Sequence, residues 1–373
     1  MAQIRHLYPG GNTCHGFYSF YDYMVSPQAA RKIVLKGGPG VGKSTFMKKL
    51  GEDFAAAGFD IEYHWCSSDN ESLDGVVIGH QQFCVLDGTS PHIVDPRFPG
   101  AVDEIINLGE FWNRTAIAKH RSEIINLSNN IARCFERAYC RLREAAMAYQ
   151  EWQSYYEEAR DMAAVNRNIL ALAQDFLPAS AAPGNCRHLF AGAITPRGLV
   201  TRVESIIDSD YALYGIKGNP GSGSKTLFDH TLGILNLSSY YAEIYHNPFE
   251  PNEIDIIVLP DSKLVLLNIS SPFNYMERLP SIKFKRLLDF DQFSSLSVLD
   301  LNNRLLDHAR SRFNSGIDGA VSFINIAKQY HDELESYYVP AMDFESIRLA
   351  RQEIFEELMQ IMSNNLSKGV NIK

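Results

Sequence analysis

The residues best placed to do chemistry are Gly37-Gly38-Pro39-Gly40-Val41-Gly42-Lys43-Ser44-Thr45. They fit G-x-x-x-x-G-K-[ST], a spacing that cradles phosphate. Glycines without a Cβ let successive backbone N–H groups turn inward around an anion. Lys43 would set its ammonium beside the β- and γ-phosphates, and Ser44 would offer a hydroxyl to Mg²⁺. Gly38, Pro39, Gly40, Val41, Gly42, Lys43, Ser44 and Thr45 are therefore the expected nucleotide-binding residues. Further on, Asp87 ends the apolar run Phe83-Cys84-Val85-Leu86. An acid at the end of such a strand suits a cation held directly or through water, so Asp87 joins Ser44 as an expected metal residue. Thr89, Ser90 and His92 follow at once. His92 could position water or substrate, or serve only as a hydrogen-bonded surface group. Ser67, Ser68, Asp69, Asn70, Glu71 and Asp74 form a second polar cluster. It could activate water or bind a phosphoryl acceptor, and it reads equally as a solvated turn.

These groups need a scaffold. Lys32-Ile33-Val34-Leu35, just before the loop, reads as a buried strand. Phe46, Met47 and Leu50, just after it, read as one face of a helix whose N-terminus adds a positive dipole end. Ile61-Glu62-Tyr63-His64-Trp65 and Phe83–Leu86 are further strands, with Val76-Val77-Ile78 an extra strand between them. Strands alternating with helices predict an α/β fold with a parallel-sheet core. Ile117, Ile124, Ile131, Ala138, Ala145 and Trp152 recur every seven residues, with Leu127, Cys134 and Leu142 interleaved. That stripe predicts a long helical hairpin or bundle.

The pattern occurs twice. His6-Leu7 through Gly16-Phe17 overlays His188-Leu189 through Gly198-Leu199, and Glu151-Trp152-Gln153-Ser154-Tyr155-Tyr156 overlays Glu333-Leu334-Glu335-Ser336-Tyr337-Tyr338. The offset is 182 residues in both places, and Ala159 and Asp161 then fall on Ala341 and Asp343. One offset over so long a span indicates a tandem duplication. The expected domains are residues 1–180 and 186–373, joined through the small-residue, proline-containing stretch 178–185. The repeated Tyr-Tyr pair reads first as a helix contact and second as a ligand platform.

The second loop, Gly218-Asn219-Pro220-Gly221-Ser222-Gly223-Ser224-Lys225-Thr226, is altered. Aligned on its glycines, Lys43 meets Ser224 and Ser44 meets Lys225. Aligned on the following helix, Lys225 and Thr226 keep their places but the loop gains a residue. Either way the lysine lies about 100° around the helix start from its usual target. Gly221, Gly223, Lys225 and Thr226 are the candidate anion contacts here. Asp87 is replaced by Asn268, a weaker cation ligand.

Composition narrows the classes. The 373 residues carry a net charge of −9, with 45% hydrophobic and 21% charged residues. The chain is long enough for two cores, and its charge gives no general attraction to nucleic acid or membrane. No 18-residue apolar run suggests a membrane span. The six cysteines lack C-x-x-C pairing and read as reduced thiols of a cytoplasmic protein.

The duplicated loops, Asp87-Gly88-Thr89-Ser90-Pro91-His92, Asp95-Pro96 and Glu104-Ile105-Ile106-Asn107-Leu108-Gly109 together resemble a family of bacterial tandem P-loop ATPases. The likeness covers nearly the whole chain. It implies ATP as ligand, a P-loop NTPase fold in each half and carry-over of Gly37 to Thr45 as the nucleotide loop. The expected activity is Mg²⁺-dependent ATP hydrolysis in the first half. Lys43, Asp87 and His92 are its expected catalytic residues, and the second half is degenerate or regulatory. Two alternatives stay open: a small-molecule or nucleotide kinase, and a non-catalytic nucleotide-gated scaffold binding a protein through its helical arms.

Overall fold

The computed structural model describes residues 2–26, 28–89, 93–177, 185–238 and 240–367. Two compact units emerge, each discontinuous in sequence. The first comprises Met1–Gly10, Ser19–Glu136 and Phe323–Lys373, and the second Gly11–Tyr18 and Arg137–Ser322.

The first half contributes strands β1 (Ile4–Leu7), β2 (Gly10–Thr13), β3 (Gly16–Ser19), β4 (Arg31–Lys36), β5 (Ile61–Trp65), β6 (Leu73–Ile78), β7 (Phe83–Asp87) and β8 (Asp103–Asn107). Its helices are α1 (Lys43–Ala56), α2 (Arg114–Ala118), α3 (Arg121–Ala159) and α4 (Met162–Phe176). The second half repeats the order with β9 (Cys186–Phe190), β10 (Gly192–Thr195), β11 (Gly198–Thr201), β12 (Ala212–Lys217), α5 (Ser224–Ser238), β13 (Ala242–His246), β14 (Ile254–Leu259), β15 (Leu264–Asn268) and β16 (Phe284–Asp289). It closes with α6 (Leu296–Tyr338) and α7 (Phe344–Ser367).

Each half builds a six-stranded sheet. The order is β1-β5-β6-β7-β4-β8 in the first and, read from the matching edge, β9-β13-β14-β15-β12-β16 in the second. The sheets are mixed, which corrects the expectation of parallel sheets. β6 runs antiparallel to both β5 and β7, and β14 antiparallel to both β13 and β15. The cause is the length of the connections. Residues 66–72 and 79–82 are too few for the crossover that parallel neighbours need. Gly79, His80 and Gln81 make the second turn with positive φ of 57°, 42° and 63°. The central strands are apolar on both faces, as in β4 with Ile33, Val34 and Leu35 all buried.

The outer layer is exchanged between the halves. In the first unit, α1 buries Phe46, Met47, Leu50 and Phe54 along one stripe. Its core also takes Ile347, Ile354, Leu358 and Met362, all from α7 of the second half. Phe54 and Phe355 meet with ring centroids 4.9 Å apart, and Arg351 pairs with Asp53. In the second unit the exchange runs the other way. Val165, Ile169, Leu172 and Phe176 of α4, from the first half, pack with Leu227, Phe228 and Leu235 of α5. The repeated aspartates start these covering helices. The Asp161 carboxylate accepts from the Ala163 and Ala164 N–H groups at 2.9 and 3.1 Å, and that of Asp343 accepts from the Ser346 N–H at 3.1 Å. The expected helical extensions are present, but each covers the sheet of the opposite half.

The heptad stripe is buried at Leu127, Cys134, Ala138, Leu142 and Ala145. In the second unit α3 and α6 run antiparallel. Gly316 lies against Ala145 and Arg141, Phe313 against Trp152, and Arg312 pairs with Glu151. No helix among the described residues is long and apolar enough to cross a membrane, and no disulfide joins any of the six cysteines.

This exchange generates a test. Leu358→Ala in α7 should cost about 2–5 kcal/mol, the range for emptying a buried leucine site. Hydrogen exchange should quicken in α1, three hundred residues away in sequence, and stay unchanged in α5.

Candidate functional site

β4 delivers Lys36 to the end of the first sheet, and the chain turns through the glycine loop into α1. Gly37, Gly40 and Gly42 have φ of 146°, 66° and 88°. Residues bearing a Cβ rarely adopt these values, and this is the physical content of the glycine spacing. Val41 is buried beneath the loop, and a Cβ on Gly37 would lie 2.8 Å from its side chain. Gly42 caps α1 in the left-handed conformation.

The fold brings Lys43 and Asp87 together. The Lys43 ammonium donates to the carbonyls of Gly37 at 3.1 Å and Gly38 at 2.9 Å. It also lies 3.5 Å from a carboxylate oxygen of Asp87. The other Asp87 oxygen accepts from the Thr89 N–H at 2.8 Å and its hydroxyl at 2.5 Å. The Ser44 hydroxyl accepts from the Leu73 N–H at 3.0 Å, tying the helix start to β6. Thr45 is exposed. His92, with Ser90 and Pro91, lies outside the described residues, as do residues 178–184 of the expected linker.

The 67–74 cluster divides. Asp69 closes its own turn by accepting from the Glu71 N–H and the Ser72 hydroxyl, and it pairs with Lys328 at 3.4 Å. Ser67 and Asp74 are buried. Gly75 faces Leu86 across the β6–β7 ladder, so the next pair outward is Asp74 and Asp87. Two carboxylates thus share one face of the sheet end beside Lys43, an arrangement that favours a cation. In the second sheet the matching pair is Asp255 and Asn268, and the Asn268 amide donates to Asp255 at 3.1 Å.

Residues of the second half cover the first loop, and these the sequence reading did not place there. A Glu335 carboxylate oxygen accepts from the Gly40 N–H at 3.1 Å. A Cβ on Gly40 would meet Val339 at 3.1 Å and Glu335 at 3.3 Å, and one on Gly38 would meet the Tyr338 ring at 3.1 Å. Phe344 stands over Gly42. The repeat alignment had paired Glu335 and Tyr338 with Gln153 and Tyr156. It carried no signal for which loop each would reach.

The second loop is built differently. Gly221 and Gly223 have φ of 87° and 122°, and α5 starts at Ser224 as α1 starts at Lys43. The loop therefore follows the glycine alignment. A buried serine occupies the lysine position, and Lys225, one residue on, pairs with Asp229 at 2.5 Å along the exposed helix face. Thr226 is exposed. Asn219 and Gly221 of the loop are engaged within the unit. The Asp291 carboxylate accepts from the Asn219 N–H and side-chain amide, both at 2.8 Å, and Arg310 donates to the Asn219 side-chain carbonyl at 2.9 Å. Arg160 donates to the Gly221 carbonyl at 2.8 Å. A Cβ on Gly221 would lie 2.2 Å from the Gln153 carbonyl oxygen, so α3 sits directly on this loop.

No family model, curated protein or solved structure matches the chain.

Beside the second loop lies Glu253, which is partly buried. It accepts from the Tyr149 hydroxyl at 2.8 Å and the Gln153 amide at 2.9 Å. Burial first, then the carboxylates of Asp255 and Glu250, push it up from 4.5 to about 7. A raised carboxyl stabilises the fold fully below the unfolded value, and that contribution disappears as pH climbs from 4.5 towards 7. Glu253→Gln keeps the shape without the charge. Its melting temperature should exceed the wild type's at pH 8, and the two should coincide near pH 4.

Proposed function

We propose that the protein binds ATP with Mg²⁺ at the first glycine loop and hydrolyses it slowly, the second loop having lost this role. The observation carrying the reading is the placement of Lys43, which reaches both the loop carbonyls and Asp87 at 3.5 Å. In the second half, Ser224 and Asn268 replace that lysine and that acid.

The residues fit a phosphate chain and a hard cation. Loop N–H groups and the start of α1 present partial positive charge to phosphate oxygens. Lys43 would leave the Gly37 and Gly38 carbonyls for the β- and γ-phosphates, offsetting charge that grows as the bond to ADP breaks. Asp87 and the Ser44 hydroxyl are oxygen donors suited to Mg²⁺, and the buried Asp74 adds negative charge at the same sheet end. When bound, a cation held by Asp87 and Ser44 would offset negative charge on the phosphate oxygens. The products are ADP, phosphate and a proton.

Turnover of labelled ATP by the purified protein tests the proposal. Lys43→Ala should reduce the rate roughly 100-fold or more, as expected for loss of a charge that stabilises the transition state. Asp87→Asn should raise the Mg²⁺ concentration needed for half-maximal rate. Lys225→Ala should leave the rate unchanged. Turnover by the wild type no faster than by Lys43→Ala would remove the enzymatic claim.

A further inference from the structure

The proposed ATP site is already occupied by part of the protein itself. We infer that the end of α6 is a built-in inhibitor of the first loop, with the Glu335 carboxylate standing where a phosphate oxygen would bind. The inference rests on the ATP-binding reading above and adds its regulation.

Four observations carry it. The Gly40 N–H, one of the donors the loop would offer to phosphate, is taken by the Glu335 carboxylate at 3.1 Å. The flanking chain closes the approach, because Glu335 and Val339 lie against Gly40 while Tyr338 lies against Gly38. Trp112, at the end of the strand-to-helix connection after β8, backs the Tyr338 ring with centroids 6.1 Å apart. Lys43 is folded inward onto the Gly37 and Gly38 carbonyls. A triphosphate needs the Gly40 N–H and the space over Gly38 and Gly40, so ligand and α6 compete there.

The occupant is chemically matched to what it excludes. A carboxylate shares the negative charge and acceptor oxygens of a phosphate but carries less charge than a triphosphate with its cation, so it can be displaced. Two turns earlier on α6, Lys328 pairs with Asp69 at 3.4 Å, holding the helix beside the loop in the closed arrangement. At the second loop the position matching Glu335 is Gln153, whose side chain is turned to Glu253. Its backbone carbonyl presses on Gly221 instead. The anionic stand-in therefore belongs to the loop that keeps its lysine.

If the open form is a minor population, apparent affinity falls by the fraction open, and weakening the occupant restores it. Titration calorimetry of the full chain with Mg²⁺ and a non-hydrolysable ATP analogue measures this. Glu335→Gln removes the charge from a partly exposed side chain and should tighten apparent binding roughly 3- to 30-fold. Tyr338→Ala should act in the same direction. Lys43→Ala should abolish binding both alone and combined with Glu335→Gln. Hydrogen exchange across residues 329–343 should rise when the analogue binds.

Unchanged or weaker binding by Glu335→Gln, with the wild type still binding in a Lys43-dependent way, would overturn the inhibitor and leave the ATP site standing. Absence of binding by wild type, Glu335→Gln and Tyr338→Ala alike would overturn the ATP reading and the inhibitor with it. A thermal melt of each variant near the wild type's excludes unfolding as the cause.

Discussion

The structure depends on covering the apolar stripe of the helix that follows each glycine loop. One side of α1 rests on its sheet, and the other would be wet without Ile354, Leu358 and Met362 of α7. Each buried aliphatic side chain is worth roughly 1.5–3 kcal/mol, so this contact is a large part of what fixes α1. The loop is the N-terminal continuation of α1. Its geometry is therefore held by a helix from the opposite half. The same holds for α5 and α4. Anything that shifts α7 acts on the first loop through a packed core.

The duplicated halves share strand order and helix order yet offer different chemistry. The divergence comes down to a few atoms. Both loops keep the glycines with positive φ that shape the turn. Moving the lysine one residue along α5 swings its side chain away from the loop and onto Asp229. Exchanging an acid for an amide lets Asn268 donate to Asp255, so the buried charge is bonded internally with no cation required. Arg160, Arg310 and Asp291 then bond to Gly221 and Asn219 of the loop.

Much of this was legible in the sequence. Glycine spacing, β-branched runs and the seven-residue stripe are local signals, and they placed β4, α1, the long helices and the convergence of Lys43 with Asp87. The extra strand at Val76 was visible too, though its direction was not, since it is set by connection length. Which helix covers which sheet was illegible. Leu358 and Leu172 are equally apolar, and no local pattern says whether a face packs on its own half or the other. The Glu335 contact was hidden for the same reason. A glutamate on an amphipathic helix looks like solvated surface until the fold carries it to the Gly40 N–H.

Exchange of the covering helices also sets an order of events during synthesis. Phe46, Leu50 and Phe54 leave the ribosome long before Ile354 and Leu358 exist to meet them, and α4 likewise emerges before α5. The nascent first half carries bare apolar helix faces through most of translation, the kind of surface that draws chaperones or aggregates.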